Sequence, residues 1–187
     1  CKTRCTYCDF YTGTNETQMD AFVDAVCAEA RIRKDEIPEQ VKTVYFGGGT
    51  PSRLRQKHFD KIFDTLQRHY FIAPEVEITV EANPDDLSEA YVEMLSRLPV
   101  NRLSIGIQSF DGEELKFLSR RHSAQQAIDA VKRCQQHGFG NISIDLMYGL
   151  PQQTEEIWQY NLAQAIALDV PHISSYHLIY EEKTKMY

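Results

Sequence analysis

A chain of 187 residues, 42% hydrophobic and 25% charged, carries enough apolar material for one domain with a sizeable core and lacks the bias of a disordered protein. Its net charge of -7 leaves no basic stripe to displace counterions from phosphates, which excludes a general nucleic-acid binder; the basic runs at 31–34 and 119–122 read as solvated helix faces. No apolar run approaches the roughly 20 residues that span a bilayer, and no leader pattern opens the chain, so the expected compartment is the cytoplasm. There, five cysteines point to metal binding or catalysis rather than to disulfides.

In chain order, Asn15 opens an N-x-x-Q helix start, and Met19, Phe22, Val23, Val26, Cys27 and Ala30 recur at helical spacing. The strand TVYF (43–46) follows and stops at GGGTP. A helix through Phe59, Ile62, Phe63 and Leu66 leads to the strand VEITV (76–80), and a helix through Tyr91 and Leu95 leads to RLSIGI (102–107). A helix opened by Ser123 and stopped at Gly138 precedes NISIDLM (141–147); one capped by Thr154 precedes HISSYHLI (172–179). Each helix and strand pair takes about 30 residues, the size of a βαβ unit. The pattern predicts an α/β domain with a parallel sheet, and leaves open whether it is a barrel or an open doubly wound sheet.

Both architectures place the active site at the carboxyl ends of the strands. That edge is rich in polar or special residues: Gly47 to Thr50, then Glu81 and Asn83, Gln108, Asp145 and Tyr148, and Tyr176 and His177. Asp145, flanked by Ile144 and Leu146, is an acid in an apolar strand that calls for a partner. A loop carrying Cys1, Cys5 and Cys8 is expected at the same edge. Zinc is one reading of it, but a structural zinc site takes four ligands and no second close pair exists. Inert thiols are another, and suit Cys27 and Cys134 among apolar neighbours better than a polar loop. The third is a 4Fe-4S cluster, in which three thiolates leave one iron open to another ligand.

The spacing Cys-x3-Cys-x2-Cys resembles the hallmark of the radical S-adenosylmethionine (SAM) superfamily. Within it, CTYCDFYT, YFGGGTPSRL, VEANPDDL, RLSIGIQSF, LSRRH and IDLMYGLPQQT are similar to stretches of the oxygen-independent coproporphyrinogen III oxidase family, above all its HemW-type members. The resemblance implies a partial (β/α)6 barrel, TIM-like, its first strand upstream of this chain. It also implies that residues 1–187 are the core of a protein about twice as long. It implies that Cys1, Cys5 and Cys8 hold the cluster and that Tyr7, Gly48, Gly49, Thr50, Glu81, Gln108, Arg120 and Asp145 contact SAM. The chemistry implied is one-electron cleavage of the sulfonium to a 5'-deoxyadenosyl radical, with the protein positioning the cofactor and excluding water.

The oxidase proper has a further cysteine two positions beyond the third, where this chain has Phe10. That departure favours the HemW-like branch, which implies a heme chaperone with heme as a further ligand, heme-acceptor proteins as partners and a reductant for the cluster. The alternative is the oxidase, decarboxylating a porphyrinogen. His122, His172 and His177 have no assigned role, while Tyr148 either shapes a turn or faces a planar tetrapyrrole.

Overall fold

The computed structural model of the chain describes residues 1–11 and 13–187; Thr12, the last residue of the CTYCDFYT stretch, lies outside them. Five parallel strands, β1 (Val41–Phe46), β2 (Ile72–Ala82), β3 (Arg102–Gln108), β4 (Ile142–Tyr148) and β5 (His172–His177), pair in the order in which they occur. The order never reverses, so the sheet has no switch point of the doubly wound kind. It winds as a barrel does and curls into a half-barrel. Among the described residues the helices are α1 (Met19–Ile32), α2 (Gln56–His69), α3 (Glu89–Ser96), α4 (Gly112–Phe117), α5 (Ala124–Gln136) and α6 (Glu155–Ala167). None is long and apolar enough to cross a membrane.

The strands divide their residues between two faces because successive side chains alternate. Ile78, Val80, Leu103, Ile105, Ile107, Ile142, Ile144 and Leu146 point to the helices and form the main core with Phe59, Val92, Leu95 and Val131. On the opposite face the register sets Glu81 beside Ser104 and Gly106 beside Asp145. That concave face is polar along most of its length, unlike the packed interior usual in closed barrels of this type. Phe46 joins β1 to α2 by packing on Phe59 and Phe63, with ring centroids 5.2 and 5.4 Å apart. Burying each such ring contributes about 1.5–3 kcal/mol.

Local signals account for most helix starts. Ser123 and Gln126 form the capping box of α5, and Thr154 accepts from Ile157 N to cap α6. Asn15 does not open α1. Its side chain accepts from Thr17 N at 2.9 Å, a local turn that competes with helix, and α1 starts at Met19. The short α4 adds a helix that the periodicity does not predict; Asp111 accepts from Glu113 N and Glu114 N to cap it. Run 119–122 is not a helix face: it is the link between α4 and α5, and its arginines reach back to the sheet edge. Run 31–34 does stand in solvent at the end of α1, where Arg33 pairs with Glu29 and Glu36.

Candidate functional site

The carboxyl ends of all five strands meet the cysteine loop around one cavity of about 210 Å³. Cys1, Cys5 and Cys8 line it on one side; Thr50, Glu81, Gln108, Asp145 and Tyr176 line it on the other. The loop turns through a hydrogen bond from Cys8 N to Cys5 O at 3.3 Å, and Arg4 closes it by donating to Cys8 O at 3.1 Å. Tyr7 packs against Leu118, Met147, Leu150 and Leu178, which roots the loop in a small apolar cluster. Burial pushes its phenol well above the ordinary range.

After β1 the chain turns with Gly48 at φ 75° and Gly49 at φ 57°. Two left-handed residues in succession require glycine. Gly47 is needed for space: a Cβ there would stand 2.6 Å from the Tyr45 ring. The turn brings Gly48 N to Glu81 Oε2 at 3.1 Å, while Tyr45 donates to Glu81 Oε1 at 2.8 Å. Burial first, and this carboxylate second, push the Tyr45 phenol up to about 12. Thr50 donates to the Cys1 sulfur at 2.8 Å.

Ser119, with φ 56°, reverses the chain at the end of α4, and Arg120 N closes the turn on Leu115 O at 2.9 Å. Arg120 is thereby aimed at the sheet edge. One guanidinium nitrogen donates to Asn83 Oδ1 at 2.7 Å and to Gly106 O; the other lies 3.5 Å from the Cys5 sulfur. Its Nε is buried without a partner among the described residues. A bulge between Gly106 and Gln108 leaves Gln108 at φ 74°, a strained conformation for a residue with a side chain, and Tyr176 donates to its amide oxygen.

Asp145 has no hydrogen-bond partner among the described residues and lines the cavity, so a partner for it would have to come from a ligand there. Burial, then the Glu81 carboxylate, push its pKa up to about 6, with Arg120 and Arg102 pulling the other way.

Every residue singled out at this edge for cluster or cofactor therefore lies on or beside one cavity. The other candidates part from it. Tyr148 packs on Trp158, with centroids 5.7 Å apart, and on His177, and neither Tyr148 nor His177 lines the cavity. His172 sits at the opposite end of β5 within 3.3 Å of Arg102. His122 is buried on Ile107 O and held down to about 4 by burial, then by Arg120. Nothing in the sequence pattern singles out Tyr45, though it stands two residues before Gly47 on the face that Glu81 shares.

Three thiols gather in the loop, Cys5 beside the Arg120 guanidinium and Cys1 accepting from the Thr50 hydroxyl. Among the described residues no three Cys, His, Asp or Glu side chains gather tightly enough to hold one metal ion. The loop also has no second close cysteine pair to complete a four-ligand zinc site. It suits an iron–sulfur cluster, whose thiolates bind separate irons and stand farther apart. The unpartnered Arg120 Nε and the free Asp145 carboxyl add a donor and an acceptor for a polar ligand alongside.

Residues 1–161 match the family model of the Radical SAM superfamily. The chain is 37% identical over 185 residues to heme chaperone HemW of Lactococcus lactis, which covers 98% of this chain and 48% of that protein. Against heme chaperone HemW of Bacillus subtilis the identity is 38% over 191 residues, with 100% and 50% covered. The chain thus spans about half the length of these curated relatives. Among solved structures, coproporphyrinogen III oxidase (HemN) from Escherichia coli, a radical SAM enzyme, matches with a TM-score of 0.87 at 25% identity, covering 96% of this chain and 42% of that one. Elp3 of Methanocaldococcus infernus matches at 0.71 and 18% identity over 94% of this chain and 46% of that one, a likeness of fold.

Proposed function

Because this chain belongs to the radical SAM superfamily, we propose that it is the cofactor-holding core of a HemW-like heme chaperone. The observation that carries the reading is the meeting of three loop thiols with the polar ends of all five strands at one cavity. In the proposal Cys1, Cys5 and Cys8 hold a 4Fe-4S cluster, with SAM bound beside it. The chemistry this pair supplies when bound is one-electron cleavage of a sulfonium carbon–sulfur bond.

The chain's own residues bind and orient. Gly48 and Gly49 keep side chains away from the amino-acid end of SAM, and Thr50 supports the Cys1 sulfur. Glu81, Gln108 and Asp145 offer acceptors to ribose hydroxyls and to cationic groups. Arg120 balances thiolate charge and has a free N–H for the ligand. Tyr7 seals the loop against water.

Support for the chaperone over the oxidase comes from the HemW relatives, which match nearly the whole chain at 37–38% identity, and from Phe10, which stands at the cavity rim 72% exposed. An exposed ring gives a planar tetrapyrrole an apolar face. The oxidase reading is supported by the likeness to the Escherichia coli enzyme. In the proposal the core belongs to a longer protein, with an upstream strand and a further carboxyl-terminal region. It works in the cytoplasm, where thiols stay reduced, and meets a reductant and heme-acceptor proteins.

The test is anaerobic reconstitution of the full-length protein with iron and sulfide, followed by two assays. Heme binding and its transfer to an acceptor apoprotein are expected, with no protoporphyrinogen IX formed from coproporphyrinogen III. Formation of protoporphyrinogen IX would overturn the chaperone reading.

A further inference from the structure

Within the VEANPDDL stretch, Asp86 has no part in the site described above and does not line the cavity. Its side chain is 1% exposed, yet it collects three polar partners. Lys2 Nζ lies 2.5 Å from Oδ1, Arg53 donates to Oδ1 at 3.3 Å, and Ser52 donates to Oδ2 at 2.9 Å. Lys2 sits between Cys1 and Cys5 in the loop. From Asp86 a chain of hydrogen bonds runs on to the same loop from the other side. Ser52 Oγ accepts from Asn83 N at 3.3 Å, Asn83 Oδ1 accepts from Arg120, and Arg120 reaches the Cys5 sulfur.

The polar links therefore leave the loop at Lys2 and return to it at Cys5. Asp85 doubles the first link, since Lys2 also lies 3.4 Å from it and Arg121 pairs with it. A buried carboxylate that met only water-facing partners would add little, because exposed pairs are worth little. Here the acid is desolvated, and one of its two cationic partners, Lys2, belongs to the loop that must hold still, while Arg53 anchors the acid from the turn after β1.

Resting on the cluster assignment of Cys1, Cys5 and Cys8, we infer that Asp86 is a positioning residue that clamps the cysteine loop through Lys2 and so sets how firmly the cluster is retained. Outer partners of metal ligands typically change affinity about 10- to 100-fold when removed. The clamp touches no reacting atom, so its loss is read in cluster retention.

The test uses the full-length protein with Lys2→Met, Lys2→Arg and Asp86→Asn. Each is reconstituted anaerobically, assayed for iron and sulfide, and then exposed to a ferrous chelator while the visible absorption of the cluster is followed. The metal-free proteins are melted in parallel. Lys2→Met is expected to lose its cluster about tenfold faster or more while the metal-free protein still melts cooperatively, because Arg53 and Ser52 keep Asp86 paired, and Lys2→Arg to restore retention. The double variant with Asp86→Asn is expected to be no worse than Asp86→Asn alone, since the Lys2–Asp86 link is already lost there. Should Asp86→Asn fail to fold, Lys2→Met decides. Unaltered retention in Lys2→Met overturns the clamp alone, whereas failure of the unsubstituted protein to take up iron and sulfide overturns the cluster assignment with it.

Discussion

Arg120 lies with one guanidinium nitrogen 3.5 Å from the Cys5 sulfur while the other donates to Asn83 Oδ1 at 2.7 Å. A residue 115 positions away in sequence thereby ties the cysteine loop to the end of β2. The left-handed Ser119 makes this possible by turning the chain back toward the sheet.

Arg120→Lys removes the fork and keeps the charge. One ammonium cannot serve Asn83, Gly106 O and Cys5 together, because it lacks the spread of a planar guanidinium. We expect a loss of stability of about 1–3 kcal/mol from acceptors left unpaired. Urea denaturation of the metal-free protein checks this; a variant as stable as the parent would mean that the fork is not structural.

Asp145 predicts a pH dependence. Burial and Glu81 raise its folded pKa to about 6 from 3.8, so between those values the folded state holds more protons than the unfolded one. Stability then falls as pH rises through that window. Asp145→Asn is expected to melt higher than the parent at pH 7, with the gap closing toward pH 4. Thermal melts across that range are the measurement, and a gap that is constant with pH would show that the carboxyl titrates normally.

The cysteines should divide into two sets. Alanine at Cys1, Cys5 or Cys8 is expected to abolish iron and sulfide uptake, whereas alanine at Cys27 or Cys134 leaves it intact. Burial pushes the Cys134 thiol up to about 12, so it should also resist alkylation in the native protein. Metal analysis and mass spectrometry after iodoacetamide treatment read both results.

Glu114 is buried on α4 and pairs with no cation among the described residues. It accepts from Ser109, from Asn161 at 3.0 Å and from Gln153 at 2.8 Å, joining the loop after Gln108 to α6. Glu114→Ala strands these donors, and a destabilisation of about 3 kcal/mol is expected. Glu114→Gln keeps one acceptor and should cost less. Equal denaturation midpoints for the two variants would contradict this account.

The repeating units were legible because a strand with one apolar and one polar face writes a period of two into its residues. In β4, Ile142, Ile144 and Leu146 face the helices while Ser143 and Asp145 face the concave side. Alternation of this kind located all five strands to within a few residues. It said nothing of α4, whose six residues are too few to show a period. The cysteine spacing and GGGT were legible for a different reason, since thiol ligation and left-handed turns each demand particular residue types.

The sequence by itself determined which residue types the cavity would have: three thiols, a glycine turn and one polar group or more per strand end. Tertiary structure alone decided that the strands follow one another without reversal, which side of each strand meets the cavity, and which side chains are partnered. The physical reason is distance along the chain. Glu81 reaches 36 residues back to Tyr45, and Asp86 reaches Lys2 only because the strands and helices between them are folded. Local periodicity determines a face and a turn, but bonds between distant residues exist only once the barrel brings those faces together.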